Sequence, residues 1–268
     1  MRAQVSTGRA AANRRQFLGA ATSAFAGAAA HGSPATAPTI KAVAFDAFAI
    51  FDLRPVFRLA EELFPGRGEE LSNQWRTRQF EYTWLRNSMR LYTDFWKVTQ
   101  DALNYAAQQS KLDLTSEKSS QLMSAYLRMK PWNDVVAALE ALRKRGLRLA
   151  LLANLTPTMM RSCVTASGLQ GMFEFELSTD SVKAFKPDPA AYAMGTEAFH
   201  LEKYEILFVA FGGWDAAGAK AFGYTTYWVN REARPAEQLG ITADGTHRDL
   251  VSLPTFLDVR IGGNRSLR

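Results

Sequence analysis

The chain is poor in the side chains that most often do chemistry. Its 268 residues include one cysteine and three histidines. Cys163 has no second thiol to pair with, so no disulfide can form within the chain in any redox compartment. It lies in the helix-like stretch TMMRSCVTASGL with no histidine near it in sequence, which favours packing over nucleophilic use. His31, His200 and His247 are too few and too scattered to make a histidine-built metal site or a Ser-His-Asp triad the first expectation. Acids are absent from residues 1–37, which carry Arg2, Arg9, Arg14 and Arg15. Setting those four arginines aside leaves 28 basic residues against 26 acidic ones, although the whole chain has a formal charge of +6. That near balance argues against nucleic acid or a membrane surface as a partner.

Residues 1–37 read instead as a targeting segment. Paired Arg14 and Arg15 precede Phe17, Leu18 and a short Ala/Gly-rich apolar run that is too weakly apolar to span a bilayer stably. The pattern resembles a twin-arginine export signal, with Ala28, Ala29 and Ala30 as a small-residue cleavage site before His31. It implies removal of the segment, a periplasmic location and no membrane attachment afterwards. A disordered basic tail is the alternative reading.

The whole chain is 47% hydrophobic and 22% charged, a globular composition. Apolar strand-like runs at 41–46, 147–153, 173–178, 205–210 and 224–229 alternate with helical patterns such as 133–145 and 189–200. Such alternation predicts an α/β fold, a doubly wound, Rossmann-like parallel sheet covered on both faces. About a hundred residues separate the first two strands, and their apolar spacing is helical. The organisation expected is therefore an α/β core of 38–54 and 131–268 with an all-helical cap inserted at 55–130.

In AVAFDAFAIFDL (42–53) a fully apolar strand stops at one carboxylate, Asp46. Ligands of open parallel sheets bind beyond the carboxyl ends of the strands. That rule brings Asp46, Asn154, Lys186 and Asp215 into one cleft although they are scattered along the chain. Lys186 then holds Asp46 ionised and its oxygen available as a nucleophile, and Asp215 orients or activates water. A buried structural ion pair is the alternative.

Several ordered motifs, FDAF, LANLTP, FKPDPAAY and FVAFGGWDAAGAKAFGYTTYWVNR, with the cap segment FPGRGEELSNQWRTRQFEYTWLR, carry a family resemblance. From about residue 40 to 257 the chain is similar to the haloacid dehalogenase superfamily, and specifically to its type II branch, the (S)-2-haloacid dehalogenases. The resemblance implies a metal-independent hydrolase, without cofactor, that removes halide from short 2-haloalkanoic acids through an aspartyl ester. Asp46 becomes the nucleophile, Lys186 the cation that holds it, and Asp215 the residue serving ester hydrolysis. Arg76 receives the halide with help from Asn154, and Tyr192 supports the site by hydrogen bonding. Phe48, Phe80, Phe95 and Trp214 fall where the alkyl pocket is built, with plain core packing an equal reading for Phe80 and Phe95. Relatives of this kind often form homodimers, which is implied here too. Phosphatases of the fold generally place a second Asp two residues after the nucleophile, where this chain has Phe48.

Four positions depart from the pattern. Ile50 replaces a threonine in a loop one residue shorter than usual, Ala153 replaces a serine, and Ala210 and Gly212 replace a serine and an asparagine. Each loses a hydrogen-bonding side chain, and one preorganised donor is commonly worth about 10²-fold in rate. Backbone N–H groups or the Thr156 hydroxyl are candidates to take over. Otherwise the pocket takes a different substrate, or the chain is a catalytically impaired carboxylate-binding protein. A Mg²⁺-dependent phosphatase is the further alternative.

Overall fold

Strand β1 (Ala42–Phe45) is buried at every residue because both faces of the sheet around it are covered, which leaves no position for a polar side chain. The computed structural model describes residues 39–262, and the leader expected over 1–37 lies outside the described residues. After β1 come a one-turn helix, α1 (Ala47–Ile50), and a two-residue strand, β2 (Phe51–Asp52). Four helices follow, α2 (Arg54–Leu63), α3 (Gly68–Met89), α4 (Phe95–Gln109) and α5 (Ser116–Ala125). Strand β3 (Lys130–Pro131) then pairs antiparallel with β2 and closes the neck of this helical insertion.

Beyond the neck the chain alternates: α6 (Val135–Lys144), β4 (Arg148–Ala153), α7 (Pro157–Ala166), β5 (Phe175–Ser178), α8 (Pro189–Phe199) and β6 (Ile206–Ala210). It ends with α9 (Gly213–Phe222), β7 (Thr225–Val229), β8 (Gly245–His247) and α10 (Leu253–Gly262). Asp94, Thr115, Thr156 and Asp188 cap α4, α5, α7 and α8 by accepting from backbone N–H groups of the first turn. The six larger strands form one parallel sheet in the order β5-β4-β1-β6-β7-β8. The five predicted strands are the first five of that order. Strand β8 and the β2–β3 ribbon are additions, three residues or fewer each, too short for any periodicity to be read.

The sheet divides the core by simple alternation. Val43, Phe45, Leu149, Leu151, Leu207 and Val209 face one cluster, which also takes Trp75, Phe95, Val98 and Leu103 from the inserted helices. Ala42, Ala44, Ala150, Leu152, Ile206 and Phe208 face the other, with Tyr192 of α8 and Ala216 and Ala219 of α9. The inserted helices thus share an apolar cluster with β1, β4 and β6, and the described residues fall into one compact unit.

Within the insertion, the buried Trp75 of α3 donates its indole N–H to the Thr99 carbonyl of α4 at 2.8 Å. Helix α3 starts at Gly68, where a Cβ would stand 2.2 Å from the Glu61 Cα of α2. Gly68→Ala must therefore push α2 and α3 apart, with an expected cost of about 1–3 kcal/mol. The thermal midpoint then falls by several degrees. An unchanged midpoint in a calorimetric scan would show that the close approach of the two helices is not needed.

Candidate active site

The rule that ligands gather beyond the strand ends is obeyed residue by residue. Asp46 directly follows β1, Asn154 follows β4, Lys186 lies in the loop after β5, and Asp215 sits in the first turn of α9 after β6. Lys186 is 1% exposed, and its Nζ donates to Asp46 Oδ1 at 2.8 Å and to Asp215 Oδ2 at 2.7 Å. The second Asp46 oxygen accepts from the Phe48 N–H at 3.0 Å, so the carboxylate caps α1 and both its oxygens are held. Tyr192 donates to Asp215 Oδ1 at 2.8 Å from behind the site and does not line the cavity. Asn154 Oδ1 accepts from the Lys186 backbone N–H at 3.0 Å and from the Thr179 hydroxyl at 3.3 Å, which leaves its amide nitrogen for the cavity.

These groups form one end of a small, tight cavity. Every expected site residue apart from Tyr192 lines it: Asp46, Phe48, Arg76, Phe80, Phe95, Asn154, Lys186, Trp214 and Asp215. Arg76 arrives from α3 on the helical insertion. Phe80 and Trp214 wall one side and pack with Trp84, ring centroids 5.2–6.3 Å apart. Phe211 was not foreseen. It lines the cavity, meets the Phe48 ring edge-on at 6.4 Å and carries the Arg76 guanidinium 5.1 Å from its centroid. Its place inside FVAFGGWD was the available signal.

The four departures separate in space. Ala153 and Gly212 line the cavity, whereas Ile50 and Ala210 are wholly buried and do not. Thr156 is also elsewhere: its hydroxyl oxygen caps α7 by accepting from the Met159 N–H at 3.2 Å, so it is not the substitute donor considered for this cavity. The short turn around Ile50 is held by its carbonyls instead. A one-turn helix satisfies few of its own carbonyls. Here the Phe48 carbonyl accepts from the Trp132 indole at 3.1 Å, the Ala49 carbonyl from Arg231 at 3.2 Å, and the Ile50 carbonyl from the Trp132 N–H at 3.0 Å. Trp132 is in turn stacked between the guanidinium groups of Arg54 and Arg231, each 4.5 Å from the ring centroid. Arg231 ends the motif FVAFGGWDAAGAKAFGYTTYWVNR but was given no role, because the motif does not show that it meets Ala49, 182 positions away.

The electrostatics follow from one ammonium shared by two carboxylates. Burial disfavours the Lys186 charge, but Asp215 and Asp46 together outweigh it and raise its pKa. Burial pushes the Asp215 carboxyl up to about 6, against the pull of Lys186 and with the repulsion of Asp46. Burial, reinforced by Asp215, keeps the Tyr192 phenol protonated far into the alkaline range, so it acts as a donor. The arrangement offers a carboxylate held at both oxygens, an adjacent base whose proton affinity lies near neutrality, and an arginine across an apolar gap. That set suits displacement at carbon followed by hydrolysis.

Comparison with known proteins places the chain. A model of haloacid dehalogenase-like hydrolases matches residues 14–223. Haloacetate dehalogenase H-2 of Moraxella sp. (strain B) is 43% identical over 208 residues, 77% of this chain and 93% of that protein. The solved L-2-haloacid dehalogenase RSc1362 superposes with a TM-score of 0.81 at 40% identity, over 82% of this chain and 99% of that one. An L-2-haloacid dehalogenase from Xanthobacter autotrophicus, solved with chloropropionic acid covalently bound, gives 0.76 at 34% identity over 83% and 99%.

Because burial raises the Asp215 pKa, the folded protein favours its protonated form and the doubly ionised pair exists only above about pH 6. A carboxyl-labelled NMR titration is expected to show one aspartate changing state near that pH, and that transition is expected to be absent from Asp215→Asn. Aspartates that all titrate near the ordinary value of about 4 would contradict the burial argument.

Proposed function

The chain belongs to the haloacid dehalogenase-like hydrolase family, and from its cavity we propose that it hydrolyses short (S)-2-haloalkanoic acids to 2-hydroxy acids. The observation that carries this reading is the Asp46 carboxylate, held by Lys186 and the Phe48 N–H and opening on a small cavity walled by Phe48, Phe80, Phe95, Phe211 and Trp214 with Arg76 across it. A carboxylate fixed in this way attacks C2 in line with the carbon–halogen bond. The new C–O bond forms as the halide leaves with the bonding electrons toward Arg76, the cation across the cavity. Water then attacks the carbonyl carbon of the Asp46 ester and gives a proton to Asp215. Collapse of that intermediate breaks the bond between the Asp46 carbonyl carbon and the C2 oxygen, which takes the proton back from Asp215 and leaves as the hydroxy acid; the second proton of the water is lost to solvent as Asp46 returns to its carboxylate.

The substrate class rests on the relatives, whose names specify haloacetate in one case and L-2-haloacids in the others. The apolar walls contributed by Phe48, Phe80, Phe95, Phe211 and Trp214 favour a short alkyl part over a phosphorylated one. Two further readings keep an observation each. Ala153 and Gly212 in the cavity wall favour a carboxylate-binding protein without turnover. A Mg²⁺-dependent phosphatase has only the shared fold in its favour, with Phe48 at the position of its general acid. Export to the periplasm and pairing as a homodimer complete the proposal. Arg14, Arg15 and the alanines before His31 support the first, and the exposed Trp84, Leu85, Met89 and Leu91 support the second. A periplasmic protein beginning near His31 and eluting at twice its monomer mass is the expected state, and a cytoplasmic monomer would remove this part.

Purified protein is expected to release halide from (S)-2-chloropropionate without added Mg²⁺, and Asp46→Asn to lower the rate at least 10³-fold. In H₂¹⁸O under single turnover, the label should enter Asp46 and be found by mass spectrometry. Folded wild-type protein that releases no halide from any short 2-haloacid would leave the silent binding protein as the better reading, and Mg²⁺-dependent phosphate release needing Asp46 would favour the phosphatase.

A further inference from the structure

The cation that faces the cavity from the insertion is not free. Arg76 Nη1 donates to Glu232 Oε1 at 2.8 Å, across 156 positions of sequence. Glu232 lies in the irregular segment after β7 and does not itself line the cavity. Its second oxygen accepts from the Arg234 Nε at 2.5 Å, so the carboxylate is fixed from behind while it grips Arg76. Among the described residues Arg76 has no other hydrogen bond, and its remaining N–H groups are available to whatever enters. Burial works against ionisation of Glu232, but Arg76 and Arg234 outweigh it and keep the carboxyl below its usual range, so its charge is present at neutral pH.

The charges at the cavity, Asp46, Asp215, Lys186 and Arg76, balance. Glu232 adds one negative charge directly behind the only one of the two cations that is not already committed to Asp46 and Asp215. We propose that Glu232 is a positioning residue for Arg76, docking the guanidinium on Phe211 at the cavity wall and weakening its hold on small anions so that a displaced halide leaves. The inference takes the meaning of that anion from the function proposed above, but the charge argument needs no turnover. Both effects of the carboxylate, occupying one N–H and offsetting the positive charge, lower anion affinity. A unit charge acting over several ångströms in a partly solvated site changes affinity by roughly three- to tenfold.

The test uses the full chain and sodium chloride as the probe, with chloride binding followed by ³⁵Cl NMR line broadening. Glu232→Gln keeps an acceptor for Arg76 and removes the charge, and is expected to tighten chloride binding by about three- to tenfold. Adding Arg76→Gln to Glu232→Gln should abolish the gain, because the effect runs through that guanidinium. Equal chloride affinity in the wild type and Glu232→Gln overturns the inference, as does a gain that survives Arg76→Gln. Wild-type protein that releases no halide from 2-haloacids while Glu232→Gln still binds chloride more tightly would sink the proposed function and leave this inference standing.

Discussion

One buried ammonium shared by two carboxylates is the constraint on which the site depends. Lys186 cannot pair fully with both Asp46 and Asp215, so the cluster carries an excess negative charge in a place with almost no solvent. Such an arrangement is costly, and replacing buried ions by apolar groups is often neutral or stabilising in other proteins. Here the cost is placed unevenly. Asp215, the more deeply buried carboxylate, takes the upward shift in pKa, and Tyr192 and Lys186 limit it. The consequence is chemical: Asp46 has both oxygens held by donors, and its neighbour has a proton affinity suited to a base at neutral pH.

The sheet makes this charge cluster possible by delivering Asp46 and Asp215 just beyond β1 and β6, with Lys186 brought in by the loop after β5. Strand β1 lies in the interior of the sheet between β4 and β6, so the ends of all three converge without any long loop. Parallel strands point the same ends in the same direction, and Lys186 therefore meets both Asp46, 140 positions before it, and Asp215, 29 positions after it. The apolar clusters on the two faces, with Tyr192 in one and Phe45 in the other, hold those ends in place while the charges between them repel.

Much of this was legible in the sequence because it depends on pattern. Apolar runs ending in single polar residues gave β1 with Asp46, β4 with Asn154 and β6 with the Asp215 turn, and the switch from strand to helical spacing marked the insertion. Arg76 was reachable only through the family resemblance, since an arginine in a polar helix surface carries no local signal. Glu232 and Arg231 were not reachable at all. Their roles exist only through contacts across the fold, 156 and 182 positions away, and they lie in a segment without regular structure. Ile50 was read as a lost donor at the site, but its side chain is in the core, and the backbone around it is held by hydrogen bonds that no side-chain pattern reveals.

Those two neighbours link the halves of the reaction centre. Arg231 bonds the Ala49 carbonyl and stacks on Trp132, which bonds the carbonyls on either side, so the turn carrying Asp46 is fixed from the β7 side. Glu232, the next residue, points the opposite way and holds Arg76 of the helical insertion. Asn230 anchors this segment through its own bonds to Arg234, whose Nε returns to Glu232. Asp46 and Arg76 are therefore referenced to one short stretch of backbone, although the first belongs to the core sheet and the second to the insertion. Any movement of the insertion that carried Arg76 away would have to break its bond to Glu232 while leaving Arg231 on the Asp46 turn. The hold on the Asp46 turn and the hold on Arg76 are thus divided between two adjacent side chains.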